Sequence, residues 1–365
     1  MQGEASTLQD MKGEVQGIVG AISVQANLIA EELLHPRKID KARVFAAQNA
    51  ITHHVNLLRP CLQEFDKALH AFAQPIEAAG GTRRIAPPDW LAFSAKLGLI
   101  RNAANEWSSI RQLISEQLPP RRLPLEPVSR RVPPNVTAAA EAGDRAFDRL
   151  RRMVNPHAQT ESAKQQGSFP DIALPQSDFL ALALAAWRLL KAQGRAEKSR
   201  FIDVGCGSGV KVVSALEFFT QAFGLEIDPA YAGAARGLFE TVSEGMAELI
   251  EGNALDFASY DHFDVIYFYR PISNDEKLQQ LEEKIASTAR PGTILIAPYR
   301  QFSSRAEALG CAPITPRIYL AQTGPRKAAS LRRDAEFVGI NTAPTPRALR
   351  SIWDPIVSAS RRRGF

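Results

Sequence analysis

Residues 200–229, RFIDVGCGSGVKVVSALEFFTQAFGLEIDP, constrain the fold of this 365-residue chain more than any other stretch. A short apolar run, Phe201 to Val204, leads into Gly205-Cys206-Gly207-Ser208-Gly209. A helical segment follows, and a second apolar run ends at Glu226. Strand, glycine loop, helix, strand, acid is the unit that places a nucleotide-like ligand at the carboxyl ends of a parallel sheet. The glycines permit a tight turn and close backbone approach, and the helix start offers free N–H groups. Glu226 stands where a carboxylate can accept both hydroxyls of a ribose. Two common ligands are excluded by spacing. The dinucleotide fingerprint needs a sixth-position glycine, and Val210 occupies it. A phosphate-cradling loop ends in Gly-Lys-Ser/Thr, which the chain lacks.

The residues that follow alternate strand and helix. Strands are expected at Ala247–Glu251, Phe263–Tyr269 and Thr293–Pro298, with helices near 230–243 and 274–289 between them. A helix over 176–193 precedes the glycine unit, and a hairpin-like region closes at Arg317 to Ala321. Such alternation predicts an α/β doubly wound sheet with both faces covered, mostly parallel, with an antiparallel edge hairpin.

The motif Asp-x-Gly-x-Gly-x-Gly with an acid ending the next strand resembles class I S-adenosylmethionine-dependent methyltransferases, over roughly residues 165–322. The resemblance implies S-adenosyl-L-methionine as cofactor and methyl transfer as the activity. It implies that Asp203, Gly205, Cys206, Gly207, Ser208 and Gly209 hold the methionyl end. Glu226 then binds the ribose, and Asn253 with the Ala254 N–H faces the adenine. Asn253 departs from the aspartate common in the family, but an amide carbonyl still accepts a hydrogen bond. The resemblance also implies that Phe169 to Ser177 folds over the cofactor.

Methyl transfer from a sulfonium is an in-line displacement, so the protein mainly aligns donor and acceptor. A base is needed only for a protonated nucleophile. At the end of the fourth strand, nucleic-acid amino-methyltransferases carry Asn/Asp-Pro-Pro-Tyr, whereas this chain has Tyr269-Arg270-Pro271-Ile272. That argues against methylation of adenine or of glutamine amides by the usual route and leaves carboxylate, hydroxyl, carbon and lysine acceptors open. The next strand ends in a second Tyr-Arg pair, Tyr299-Arg300. Tyr269 and Arg270 are the catalytic candidates, and Arg270, Tyr299 and Arg300 the substrate-binding ones, for an acceptor with an anionic group. The alternative, tyrosines packed in the sheet and arginines facing water, stays open. His262 precedes the fourth strand and lies at the wrong end for a base.

Ahead of the sheet, three stripes of apolar residues at helical spacing predict an all-α bundle over residues 1–117, available for homodimerisation. Pro60 is expected to kink or break the second helix, and Asp89 to cap the third, after Gly80-Gly81 and Pro87-Pro88. Met11, His53 and His54 read as bundle residues, since adjacent histidines on a helix diverge. A Pro/Arg-rich linker, 118–135, follows, then a helix over 137–153. The methyltransferase domain is expected over 136–323 and a basic tail over 324–365. The tail carries nine Lys/Arg from Pro325 onward against three acids, against a net charge of +5 for the whole chain. It reads as a disordered binder of nucleic acid or an acidic protein, or as a segment packed by Phe337, Ile340, Leu349, Ile352 and Trp353. Three scattered cysteines and no metal-ligand spacing fit a reducing compartment, and no signal peptide or membrane span is expected. These readings make a cytoplasmic methyltransferase with an unknown acceptor. Two other functions remain: an inactive cofactor-binding scaffold, or a nucleic-acid-modifying enzyme guided by linker and tail.

Overall fold

The computed structural model describes residues 2–73, 88–126, 134–156, 158–169, 173–342 and 351–365. Gly80-Gly81, Pro87, the middle of the linker, and tail residues Leu349, Arg347 and Arg350 lie outside them, as does the side chain of Asp89. The chain divides into two compact units, residues 1–121 with 343–365, and residues 122–342.

In the first unit, helices α1 (Gln2–Leu34), α2 (Lys41–Ala73) and α3 (Pro88–Glu116) pack along the expected stripes. Val15, Ile22, Ile29 and Leu33 of α1 are buried with Val44, Ile51, Leu58 and Phe65 of α2 and Leu97, Trp107 and Ile114 of α3. The stretch Gln9–Leu34 is long and apolar enough to cross a membrane by composition. Its apolar seam is the one buried here. Pro60 lies inside an unbroken α2. It is exposed, with Leu58 and Leu62 buried beside it, so water can satisfy the carbonyl that the missing N–H leaves free.

The unit also contains the end of the chain. A helix at Asp354–Arg362 brings Trp353, Ile356 and Ala359 into the same core. Trp353 stacks on Trp107 with ring centroids 5.0 Å apart, and its Nε1–H donates to the Ala103 carbonyl at 2.8 Å. The Arg363 guanidinium donates to Gln117 Oε1 at 3.0 Å, and Gln117 donates to Ser360 Oγ at 2.8 Å.

In the second unit, α4 (Pro134–Val154), α5 (Glu161–Gln165) and α6 (Gln176–Gln193) precede a seven-stranded sheet. In chain order come β1 (Arg200–Val204), α7 (Val210–Ala215), β2 (Gln221–Glu226), α8 (Pro229–Val242) and β3 (Ala247–Glu251). Then follow β4 (Val265–Phe268), α9 (Asp275–Thr288), β5 (Ile294–Ile296), α10 (Arg300–Arg305), β6 (Ala312–Thr315), β7 (Ile318–Leu320) and α11 (Pro325–Ala335). The spatial order is β3-β2-β1-β4-β5-β7-β6. Strands β1 to β5 are parallel, and β7 runs antiparallel to both β5 and β6. Side chains alternate between two cores. Phe201, Val265 and Tyr267 meet α6 residues such as Phe179 on one face; Ile202, Ile266 and Phe268 meet Leu278 and Leu281 of α9 on the other.

The tail expected over 324–365 therefore divides. Residues Pro325–Ala335 form α11 in the sheet unit, and residues 351–365 belong to the helical unit. The described part of the linker is not a solvated spacer either. Arg188, 2% exposed, donates to the carbonyls of Leu123, Pro124, Ala335 and Val338, and Arg122 pairs with Glu336. Burial pulls the Arg188 guanidinium down to about 10. The carbonyls of two separated segments satisfy it.

Candidate active site

Strands β1, β2, β3 and β4 end side by side, and a cavity of about 510 Å³ opens there. Gly205, Gly207, Glu226, Asn253, Ala254, Tyr269 and Arg270 all line it. The glycine loop turns because its backbone adopts left-handed conformations at Gly205 (φ +80°) and Gly209 (φ +77°). A Cβ on Gly205 would lie 2.8 Å from Pro271 Cβ, and one on Gly209 would meet the Phe239 ring at 2.5 Å. The Gly205 and Cys206 N–H groups both donate to the Leu225 carbonyl, tying the loop to the end of β2.

Glu226 is 7% exposed and is held by backbone. Its Oε1 accepts from the Ile227 and Asp228 N–H groups, each at 2.9 Å, and its Oε2 from Gly207 N–H at 2.8 Å. Burial raises its pKa, and the three N–H donors hold that rise back. A carboxylate has about four acceptor positions, so Oε2 keeps one for a hydroxyl in the cavity. Asn253 is also anchored: its Oδ1 accepts from Leu255 N–H at 3.0 Å. This local turn leaves one lone pair on Oδ1 for a ligand donor.

On the other face of the loop sits a group that pattern reading passed over. Lys211, 8% exposed, donates from Nζ to the Leu174 carbonyl at 2.7 Å and to Gln176 Oε1 at 2.9 Å. Its ammonium lies 4.5 Å from the Phe147 ring centroid and 4.9 Å from that of Phe179. Burial pulls its pKa down to about 8 against the pull of Asp203. Lys211, Asp203, Cys206, Ser208 and Tyr267 surround a small cavity of about 60 Å³ that shares Gly205 and Tyr269 with the larger one. Ser208 Oγ donates to Asn155 Oδ1 at 2.6 Å, a partner with no motif to announce it. Cys206 is buried, and its thiol is pushed well up by burial and by Asp203 and Glu226, so it is no nucleophile.

Over the larger cavity lies the segment before α6. Ser273 donates to the Gly167 carbonyl from N–H at 2.7 Å and from Oγ at 2.8 Å, and Gln159 donates to the Phe169 carbonyl at 2.7 Å. Gln159, Gln166, Ser168 and Phe169 line the cavity. The covering segment expected at 169–177 thus starts earlier in the chain, and its residues 170–172 lie outside the described ones.

The two Tyr-Arg pairs part company. Tyr269 and Arg270 line the cavity; Tyr299 and Arg300 do not. Tyr299 is 8% exposed in the opposite core, packs on Phe268, and donates to Glu282 Oε1 at 2.9 Å. Burial beside that carboxylate raises its phenol far above the usual range. Arg300 is exposed at the start of α10. The shared mouth expected from sequence is corrected to a single pair, because β5 stops at Ile296 and its exit turns Tyr299 inward. Arg270 differs from its neighbours. Its φ is +49°, uncommon for a residue with a side chain, its guanidinium lies 5.1 Å from the Phe169 ring centroid, and its buried Nε has no hydrogen-bond partner among the described residues.

A family model described as a methyltransferase domain matches residues 202–297, the span from β1 through β5. Comparison with curated proteins returned no match. Among solved structures, the chain is similar to an RNA methyltransferase from Salinibacter ruber, at 20% identity over 34% of this chain and 76% of that one, with a TM-score of 0.28. It is similar to CalS10, an amino pentose methyltransferase from Micromonospora echinaspora, at 19% identity over 36% of this chain and 59% of that one, TM-score 0.27. A precorrin-6y C5,15-methyltransferase from Geobacter metallireducens aligns at 15% identity over 43% of this chain and 82% of that one, TM-score 0.31.

Proposed function

We propose that this chain, whose residues 202–297 match a methyltransferase-domain model, is a class I S-adenosylmethionine-dependent methyltransferase acting on an acceptor that bears an anionic group gripped by Arg270. The residues fit the cofactor. The cavity has the volume of a small-molecule site, the glycine loop lines it, and Glu226 keeps an acceptor position for a ribose hydroxyl. When bound, the cofactor supplies a methyl group on a sulfonium, transferred to the acceptor's nucleophile as the thioether leaves. The chain's own residues bind and align. Gly205, Gly207, Glu226 and Asn253 line the cavity on the cofactor side, and Tyr269 and Arg270 are assigned to the acceptor side. The Phe169 ring over Arg270 helps to exclude water.

The observation that carries the acceptor class is Arg270: a strained backbone conformation and a buried donor with no partner among the described residues, at the cavity wall. Strain of this kind costs on the order of 1–3 kcal/mol and persists where the surroundings enforce it. A carboxylate or phosphate arriving at the guanidinium is the natural complement of its fork. The test is label transfer from S-[methyl-³H]adenosylmethionine to panels of carboxylic acids, phosphates and their neutral esters. Transfer to anionic members only, lost in Arg270→Ala with cofactor affinity retained, supports the reading. Equal transfer to the neutral esters, or full turnover by Arg270→Ala, refutes it. Cofactor binding with no transfer to any panel member points instead to a binding protein.

A further inference from the structure

The helical unit contains a groove that the methyl-transfer reading does not use. A cavity of about 460 Å³ lies between α2 and α3 within that unit. On α2 it is lined by Thr52, Val55, Asn56 and Arg59, and on α3 by Asn105, Ser108, Arg111, Gln112 and Ser115, with Trp107 at its floor. The spacing is that of one helical face on each side. In a bundle such facing positions are ordinarily apolar. Here only Val55 and Trp107 are, and Trp107 is already committed through its Nε1–H to Thr52 Oγ1 at 3.0 Å.

The lining is one-sided chemically. It contains two guanidiniums, three primary amides and three hydroxyls, and no carboxylate. Arg59 and Arg111 are exposed, and neither forms an ion pair or hydrogen bond among the described residues. Elsewhere in this unit Arg43 pairs with Glu32 and Arg101 with Asp66, while Arg121, Arg361 and Arg362 form no ion pair among the described residues. Charge is also divided unevenly between the units. Residues 122–342 hold twenty-six Lys/Arg and twenty-six Asp/Glu, whereas residues 1–121 and 343–365 hold eighteen against thirteen. The entire net charge of +5 therefore belongs to the helical unit, +4 of it in residues 343–365 and +1 in residues 1–121, and the sheet unit is neutral.

We propose that this groove binds a nucleotide phosphate, presented by a free nucleotide or by one residue of an RNA strand, with Arg59 and Arg111 forking onto the phosphate oxygens. Guanidiniums on facing helices approach an oxyanion from two sides, which suits a tetrahedral phosphate. The amides of Asn56 and Asn105 supply paired donors and acceptors of the kind that read base edges, while Gln112 donates from Nε2 to Glu116 Oε1 at 3.0 Å. The volume falls within the range of a small-molecule site.

Anisotropy of a fluorescein-labelled twelve-residue oligouridylate, titrated with the full chain at low salt, tests this. Competition by uridine 5′-monophosphate, uridine and polyglutamate identifies the ligand. The expected result is binding that weakens with salt, at about −0.7 in log–log slope per phosphate neutralised. Uridine and polyglutamate fail to compete. Arg59→Gln with Arg111→Gln weakens binding by about tenfold per guanidinium, the size of one charge-assisted hydrogen bond. Arg361→Gln with Arg362→Gln, on the carboxy-terminal helix, changes it little. Competition by the mononucleotide assigns a free nucleotide, and its failure beside tight oligomer binding assigns a strand. Should the glutamine pair unfold the bundle, Arg59→Lys with Arg111→Lys keeps the charge, loses the fork and must still weaken binding more than the control. The proposal is overturned by no binding of oligomer or mononucleotide, by equal displacement with polyglutamate, or by equal losses in groove and control variants.

Discussion

Glu226 and Gly205 are the residues whose chemistry is most exposed to test. Glu226→Gln places an amide NH₂ or a single oxygen against three backbone N–H donors, so one donor loses its acceptor. Cofactor affinity is expected to fall roughly ten- to a hundredfold, the size of one or two hydrogen bonds to a charged group, as measured by equilibrium dialysis. Because burial raises the Glu226 pKa, affinity should also decline on acidification from a pH above the ordinary carboxylate range. Gly205→Ala combines a left-handed φ with a 2.8 Å approach to Pro271, and should cost about 1–3 kcal/mol of stability by denaturant titration. An unchanged midpoint would mean that loop and Pro271 are not held together as described. Lys211 has a pH signature of its own. Its ammonium ordinarily titrates at 10.5 and is pulled down to about 8 in the fold. Between those values the unfolded chain carries a proton that the folded chain has released. Stability should therefore rise with pH through that window, by up to one proton's slope, and be lost as pH falls through 8. Lys211→Met should flatten that stretch of the profile. A profile unchanged by the substitution contradicts a buried, partly neutral amine.

Elements show where pattern reading succeeds and where it fails. The glycine unit was legible because turn, helix start and acid are each local consequences of a few residues, and the observed strand ends match within a residue or two. The three bundle helices were legible from their stripes. What local pattern does not reveal is contact between distant segments. Trp353 is legible as a residue that could pack an ordered tail, but nothing local marks Trp107, 246 positions away, as the ring it stacks on. Arg188 lies in an ordinary helix, yet four carbonyls from two other segments converge on it. Tyr299 and Tyr269 have the same sequence context and opposite placements, because the length of each strand exit decides which core receives the side chain. Trp353→Ala should accordingly destabilise the helical unit by about 3–5 kcal/mol, the usual cost of emptying a buried tryptophan site. A chain ending at residue 350 should lose at least as much. Loss of the carboxy-terminal segment with no change in thermal midpoint would return it to the status of a free tail.

At the scale of the whole molecule, chemistry and charge are divided between the two units. The neutral sheet unit holds the cavity with Glu226, Asn253, Tyr269 and Arg270, while the helical unit holds the net positive charge and the arginine-lined groove. The proposed roles of Arg270 in acceptor selection and of Arg59 and Arg111 in anion capture are separable by mutation, because these side chains belong to different units. The central claim is that the cavity at the ends of β1 to β4 binds S-adenosylmethionine through the glycine loop and Glu226. Equilibrium dialysis of the tritiated cofactor against the intact chain, Glu226→Gln and Gly205→Val tests it most directly. The account predicts one site per chain, weakened at least about tenfold by Glu226→Gln and lost in folded Gly205→Val. Binding that survives both substitutions unchanged, or no binding by the intact chain, contradicts it.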